Sequence, residues 1–149
     1  MASDMPSVSL FGPLDALLGS TVVYLLLGLA VLNIVTRLLA HKHHVEQVNR
    51  SGADAMSRYT PHVVSNILLV LASFYYLTLH HHGGFVTSIL VLGLFLTDFF
   101  EFEARKAEAR REVTLDRPKG AITASLLVLG YVSYQGLFFV VAPAWNAVI

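Results

Sequence analysis

Seven histidines and a handful of polar residues inside apolar runs carry whatever chemistry this 149-residue chain performs. The histidines form two groups, His41, His43, His44 and His62 on one side of an apolar run and His80, His81 and His82 on the other. As a helix that run of about 19 residues separates them by roughly 28 Å, so a metal site would use one group or the other. His41 and His44 lie one helical turn apart. With His62 and the carboxylates of Asp98 or Glu101 they could offer nitrogen and oxygen ligands to Zn²⁺, Fe or Mn, which makes His41, His44, His62 and Glu101 the candidate ligand set. Three consecutive histidines in a tight turn cannot all aim at one ion, so His80 to His82 read equally well as a pH-responsive or headgroup-binding loop. Paired axial histidines at mid-helix depth, which haem would need, are absent, and no cofactor is indicated by any motif.

An ionisable group inside lipid costs free energy that some role must offset, so Asp98 is the second candidate. If Gly84 marks one bilayer boundary, Asp98 lies about 21 Å deeper, roughly 9 Å short of the other boundary of a 30 Å core. Counted from the same end, Asn33, Asn66 and Thr123 or Ser125 come to comparable depth. Asn33, Arg37, His41 and His44 share one helix face, and His62, Asn66, Ser73, Tyr76 and His80 form a stripe on the next helix. The expectation is a polar cluster of Asn33, Arg37, Asn66 and Asp98, with Arg37 as counter-charge. The structural alternative is ordinary packing glue, interhelical hydrogen bonds worth about 0.6 kcal/mol each.

The elements that must position these residues are visible in the composition. Hydrophobic residues make up 55% of the chain and charged ones 13%, with a mean hydropathy of +0.63. Long apolar blocks alternate with short charged ones, which is the pattern of a membrane protein. The expected fold is all-α and polytopic: one domain with four transmembrane helices in two hairpins. The spans fall at about 16–37, 61–80, 84–102 and 120–142, and the connections at about 38–60 and 103–119. Thr60 and Pro61 suit a helix start. The run His80-His81-His82-Gly83-Gly84 suits a break, and Pro118 and Pro143 suit helix ends. The N-terminal MASDMPSVSLFGPLDALLGS lacks the basic region and cleavage site of a signal peptide, so the first block is read as retained.

All ten Lys and Arg lie in or beside the two long connections. By the positive-inside rule those connections are cytoplasmic and both termini lie outside, in a multi-pass protein of the cell membrane. Asn49-Arg50-Ser51 then sits on the wrong face for glycosylation. The segment Asp98 to Asp116 reads as the third helix leaving the membrane, with Glu101–Arg105, Glu103–Lys106 and Glu108–Arg111 spaced to pair along a solvated helix. Gly28-Leu29 with Asn33 aligns with Gly93-Leu94 and Asp98, a hint of two related hairpins.

Net charge is zero, which gives no reason to propose nucleic acid as a partner. The absence of cysteine excludes disulfides and thiolate metal sites. Phosphate-binding loops, zinc-protease helices and nucleophile elbows are also missing, so the soluble enzyme classes drop out. Four spans with the HKHH and HHHGG clusters and the EFEARKAEARRE extension resemble small uncharacterised membrane proteins of haloarchaea. The resemblance rests on layout and implies an archaeal plasma membrane with no assigned activity and no functional residues to carry over. The expected role is an accessory or scaffolding subunit in the bilayer, meeting protein partners or a second copy of itself. Two alternatives stay open: a small ion or proton transporter built around Asp98, and a metal-dependent membrane enzyme or redox protein using the cytoplasmic-side histidines.

Overall fold

The computed structural model describes the backbone of residues 12–148, and the side chains of all of these except 14 and 139–141. The start of the N-terminal segment read for a signal peptide lies outside the described residues. A short α1 (Gly12–Leu18) precedes α2 (Val22–Ser51), and a 3-10 turn follows at Ala53–Ala55. The remaining helices are α3 (Thr60–Leu79), α4 (His81–Arg110) and α5 (Lys119–Val148). No strand occurs among the described residues. The all-α class stands, and α2 to α5 are each long and apolar enough to cross a membrane.

Each long helix packs on its neighbours in sequence, and α5 closes the ring against α2. Connections this short make neighbours antiparallel, so α2 faces α4 across the diagonal. The C-terminal ends of α2 and α4 and the N-terminal ends of α3 and α5 therefore gather at one end of the bundle, and every Lys and Arg lies there. We call this the basic end.

Several boundaries differ from those the sequence suggests. The first apolar block is broken at Gly19–Thr21, where the Gly19 and Thr21 N–H groups donate to Asp15 and Leu18. The first connection is mostly helix, because nothing between Arg37 and Ser51 interrupts one. It ends at Gly52, whose φ of 85° suits only glycine, and whose N–H donates to Val48. Between α3 and α4 only His80 is non-helical, so the turn is shorter than HHHGG implies. Pro143 lies inside α5 and does not end it. Near the tail of an apolar helix, continuing leaves fewer backbone groups unpaired in lipid than stopping would.

Sidedness is inverted relative to a water-soluble bundle. Leu25, Val31, Leu68, Leu71, Phe85, Ile89, Leu96, Leu126 and Leu127 face outward, whereas Asn33, Ser65, Ser73, Thr87, Ser88 and Ser125 are buried. Such an apolar exterior suits lipid, and small polar interior residues let helices approach and hydrogen-bond. Between the two ends of the bundle lies a layer of Leu26, Ala30, Leu69, Val91, Leu94 and Val128, each no more than 2% exposed. On its far side Tyr76 Oη donates to Gln135 Oε1 at 3.3 Å, and Gln135 Nε2 donates to Tyr131 Oη at 3.1 Å.

The tight α3–α4 hairpin depends on Gly84, where an added Cβ would press into the Leu77 backbone. Gly93, one face round on the same helix, has open space at its Cα. Gly84→Ala is expected to lower the thermal unfolding midpoint in detergent by several degrees, since neither backbone can yield. Gly93→Ala should leave it unchanged or raise it, because alanine gains up to about 1 kcal/mol of helix propensity over glycine. Equal behaviour of the two variants would refute the close-approach account.

Candidate functional site: a polar cluster and cleft at the basic end

One turn beyond the apolar layer, α2, α3 and α4 turn polar together. Asn33 Nδ2 donates to Asn66 Oδ1 at 2.7 Å and to Ser65 Oγ at 2.9 Å. Asn66 Nδ2 donates to Asp98 Oδ2 at 2.8 Å, and His62 Nε2 meets the same oxygen at 3.0 Å. Across the diagonal, Arg37 Nε lies 3.5 Å from Asp98 Oδ1, with side chains 2% and 15% exposed. The expected cluster of Asn33, Arg37, Asn66 and Asp98 therefore forms.

Three further residues complete it. His62, expected among metal ligands, bonds Asp98. Thr36 Oγ1 lies 2.9 Å from His62 Nδ1 and 3.0 Å from the Asn33 carbonyl, and Ser65 Oγ donates to the His62 carbonyl at 2.9 Å. The sequence carried a signal for Thr36 and Ser65, each three residues along the helix from a stripe member. Short hydroxyls on a helix commonly bond their own backbone, however, so their reach to another helix could not be read.

The hydrogens can be followed around this network. Because Asp98 Oδ2 accepts, His62 Nε2 carries a proton. In the neutral imidazole Nδ1 then accepts from the Thr36 hydroxyl; in the cation Nδ1 donates to Thr36, whose hydroxyl turns to the Asn33 carbonyl. Either form of His62 keeps a partner at both ring nitrogens.

α5 does not join. Thr123 and Ser125 donate to carbonyls of their own helix, Lys119 and Ile122, so three helices and not four supply the cluster. The expected pairing along the α4 extension is replaced by tertiary contacts for Glu101 and Glu103, and for Glu108 by a pair with Arg105 on the same helix. Glu101 Oε1 accepts the Gly120 N–H at 2.7 Å. Glu103 pairs with Arg58 at 3.4 Å, and Glu108 pairs with Arg105 at 3.1 Å. Arg58 crosses from the start of α3 to stack over Phe102, 4.2 Å from its centroid. Arg105 Nη1 donates to the Arg117 carbonyl, and Glu108 Oε2 accepts the Asp116 N–H. These contacts fold the 111–118 connection back against α4. Asp116 in that connection has its carboxyl held below the ordinary value, chiefly by the Arg117 N–H and then by Lys119, against a desolvation that acts the other way.

Together these elements wall a cleft that opens at the basic end, with Asp98, His62 and Arg37 at its floor and His41, His44, Glu101, Arg58 and Arg105 around it. All four candidate metal ligands, His41, His44, His62 and Glu101, line it. Among the described residues, however, no three His or acidic side chains come together closely enough to hold a metal ion. The outer histidines His80, His81 and His82 are exposed at the opposite end.

An inside-out helical bundle with a charged cluster at one end defines a class, polytopic helical proteins of membrane-crossing dimensions. The chain belongs to the family described as Domain of unknown function (DUF7313), which it matches over residues 5–149. No curated protein and no solved structure matches it.

Removing one member of a buried ion pair leaves the other charge uncompensated, which costs about 3–5 kcal/mol. Asp98→Ala is expected to lose stability on that scale in unfolding titrations of detergent-solubilised protein. Adding Arg37→Met to it should restore part of the loss, and strictly additive losses would show that the two charges are not coupled.

Proposed function

We propose that the protein is a multi-pass protein of the cell membrane, with both termini outside and the basic end in the cytoplasm. In this reading it acts as an accessory or scaffolding subunit whose polar cluster locks the bundle and whose basic end meets its partners. The bundle's antiparallel order supports the orientation, because all ten Lys and Arg come to a single end and cytoplasmic connections favour them. The layout resemblance makes the membrane an archaeal one within this reading. The protein partner or second copy it would assemble with is part of the proposal.

The observation that carries the role is the apolar layer of Leu26, Ala30, Leu69, Val91, Leu94 and Val128. It divides the Asp98 cluster from Tyr76 and Gln135, so the cleft opens toward one side of the bundle. A carrier must present its site to both sides in turn, and four helices leave little room for that. The second reading, a small proton or ion transporter built around Asp98, has one observation in its favour: Asp98 and His62 are hydrogen-bonded to each other where they line the cleft. The metal-enzyme reading lacks a converging ligand set among the described residues and is not carried further.

The cysteine-free chain permits a direct test of orientation. Ser51→Cys and Glu112→Cys are expected to resist a membrane-impermeant maleimide in intact cells, while His82→Cys is labelled. The reverse pattern would overturn the orientation. In proteoliposomes the wild type is expected to show no proton flux above background. A flux abolished by Asp98→Asn would replace the accessory reading with the transporter one.

A further inference from the structure

Arg37 is the largest fully buried side chain in the described bundle, 2% exposed. Asp98 Oδ1 approaches it at Nε, 3.5 Å away. Nη1 and Nη2, which together carry four N–H donors, have, like Nε, no hydrogen-bonding partner among the described residues. Asp98 cannot turn to serve them, because its other oxygen is already held by His62 and Asn66. Arg37 lines the basic-end cleft, as does His44, whose Nε2 is likewise buried and without a hydrogen-bonding partner among the described residues. A buried guanidinium with its terminal edge unmet is costly unless something else supplies acceptors. The group whose geometry matches that edge is an oxyanion, which an arginine fork grips in bidentate fashion.

We propose that the cleft is a binding site for a phosphate-type oxyanion, held by the terminal edge of Arg37 with His44 beside it. Glu101 limits the charge the ligand can bring. Its Oε2 is buried in the same cleft without a hydrogen-bonding partner among the described residues, while Oε1 is held by the Gly120 N–H. A carboxylate there disfavours a polyanion and accepts a hydrogen bond from a hydroxyl. The ligand is accordingly a monoanionic phosphate that still carries an O–H, or a phosphodiester whose substituent does. Size points the same way. The cavity volume is about 60 Å³, and a water needs about 10–15 Å³ on this scale, so the cleft takes a tetrahedral group and not a nucleotide. Two sources share this chemistry, free phosphate from the cytoplasm and the headgroup of a lipid such as phosphatidylglycerol. The proposal rests on the one-sided reading above but is tested separately from it. Reversed maleimide labelling or an Asp98-dependent flux would overturn that reading and leave the oxyanion response standing.

The test is thermal unfolding of the full chain in a phosphate-free maltoside detergent. Sodium phosphate is titrated against sodium chloride at matched ionic strength, and phosphatidylglycerol is added in a parallel series. Wild-type protein is expected to show a saturable rise in midpoint with at least one of the two. Arg37→Lys keeps the charge toward Asp98 but loses the fork, and should raise the half-saturating concentration about tenfold or more. His44→Ala should raise it by a smaller factor and serves alone if the lysine variant does not fold. Saturation by phosphate only identifies a soluble anion, and saturation by phosphatidylglycerol only identifies the lipid headgroup; both support the site. No saturable response to either, or an undiminished response in both variants, overturns it.

Discussion

A charge pair across the diagonal of an apolar bundle governs the arrangement around it. Arg37 and Asp98 lie on helices that are not ring neighbours, so their 3.5 Å approach is compatible only with one rotation of α2 and α4 and one vertical register between them. In a medium of low dielectric neither charge is tolerable without the other. The intervening α3 must then present residues able to meet Oδ2, the carboxylate oxygen that Arg37 does not face. His62 and Asn66, one turn apart, do this, and Thr36, Asn33 and Ser65 hold those two in turn.

The cluster is asymmetric in how completely it is satisfied. The anion is hydrogen-bonded by His62 and Asn66 and faces Arg37 Nε at 3.5 Å, whereas no guanidinium nitrogen has a hydrogen-bonding partner among the described residues. Two helix faces supply ample partners for a compact carboxylate, but a guanidinium spreads five N–H donors over a plane, and the cleft takes one edge of that plane away from the protein. The same asymmetry separates a packing device from a site. The satisfied carboxylate specifies the bundle, and the guanidinium leaves buried donors without partners beside the cleft.

The long extensions of α2 and α4 matter for the same reason. Along an isolated helix the charges of EFEARKAEARRE would pair with each other for a few tenths of a kcal/mol each. In the folded chain they reach across to Arg58, Gly120 and the 111–118 connection instead. Contacts of that kind close the walls of the cleft and seat Pro118 beside it. A partner bound at the basic end would meet this frame of α2, α4 and the connection between α4 and α5.

Much of this was legible in the chain. Four apolar blocks of bilayer length, the confinement of all basic residues to two connections, and the helical spacing of Asn33 with Arg37 and of His62 with Asn66 follow from composition and periodicity. Local sequence sets burial preference and helix face, and these are short-range properties. Only the tertiary structure decided that His62 bonds Asp98, that α5 stays out of the cluster, and that Glu101 and Glu103 reach across to other segments. It also decided which edge of Arg37 is left without a partner. Each of these depends on the rotation and register of one helix against another. Those are settled by side-chain packing across the whole bundle, down to the contact at Gly84, and no local pattern encodes them.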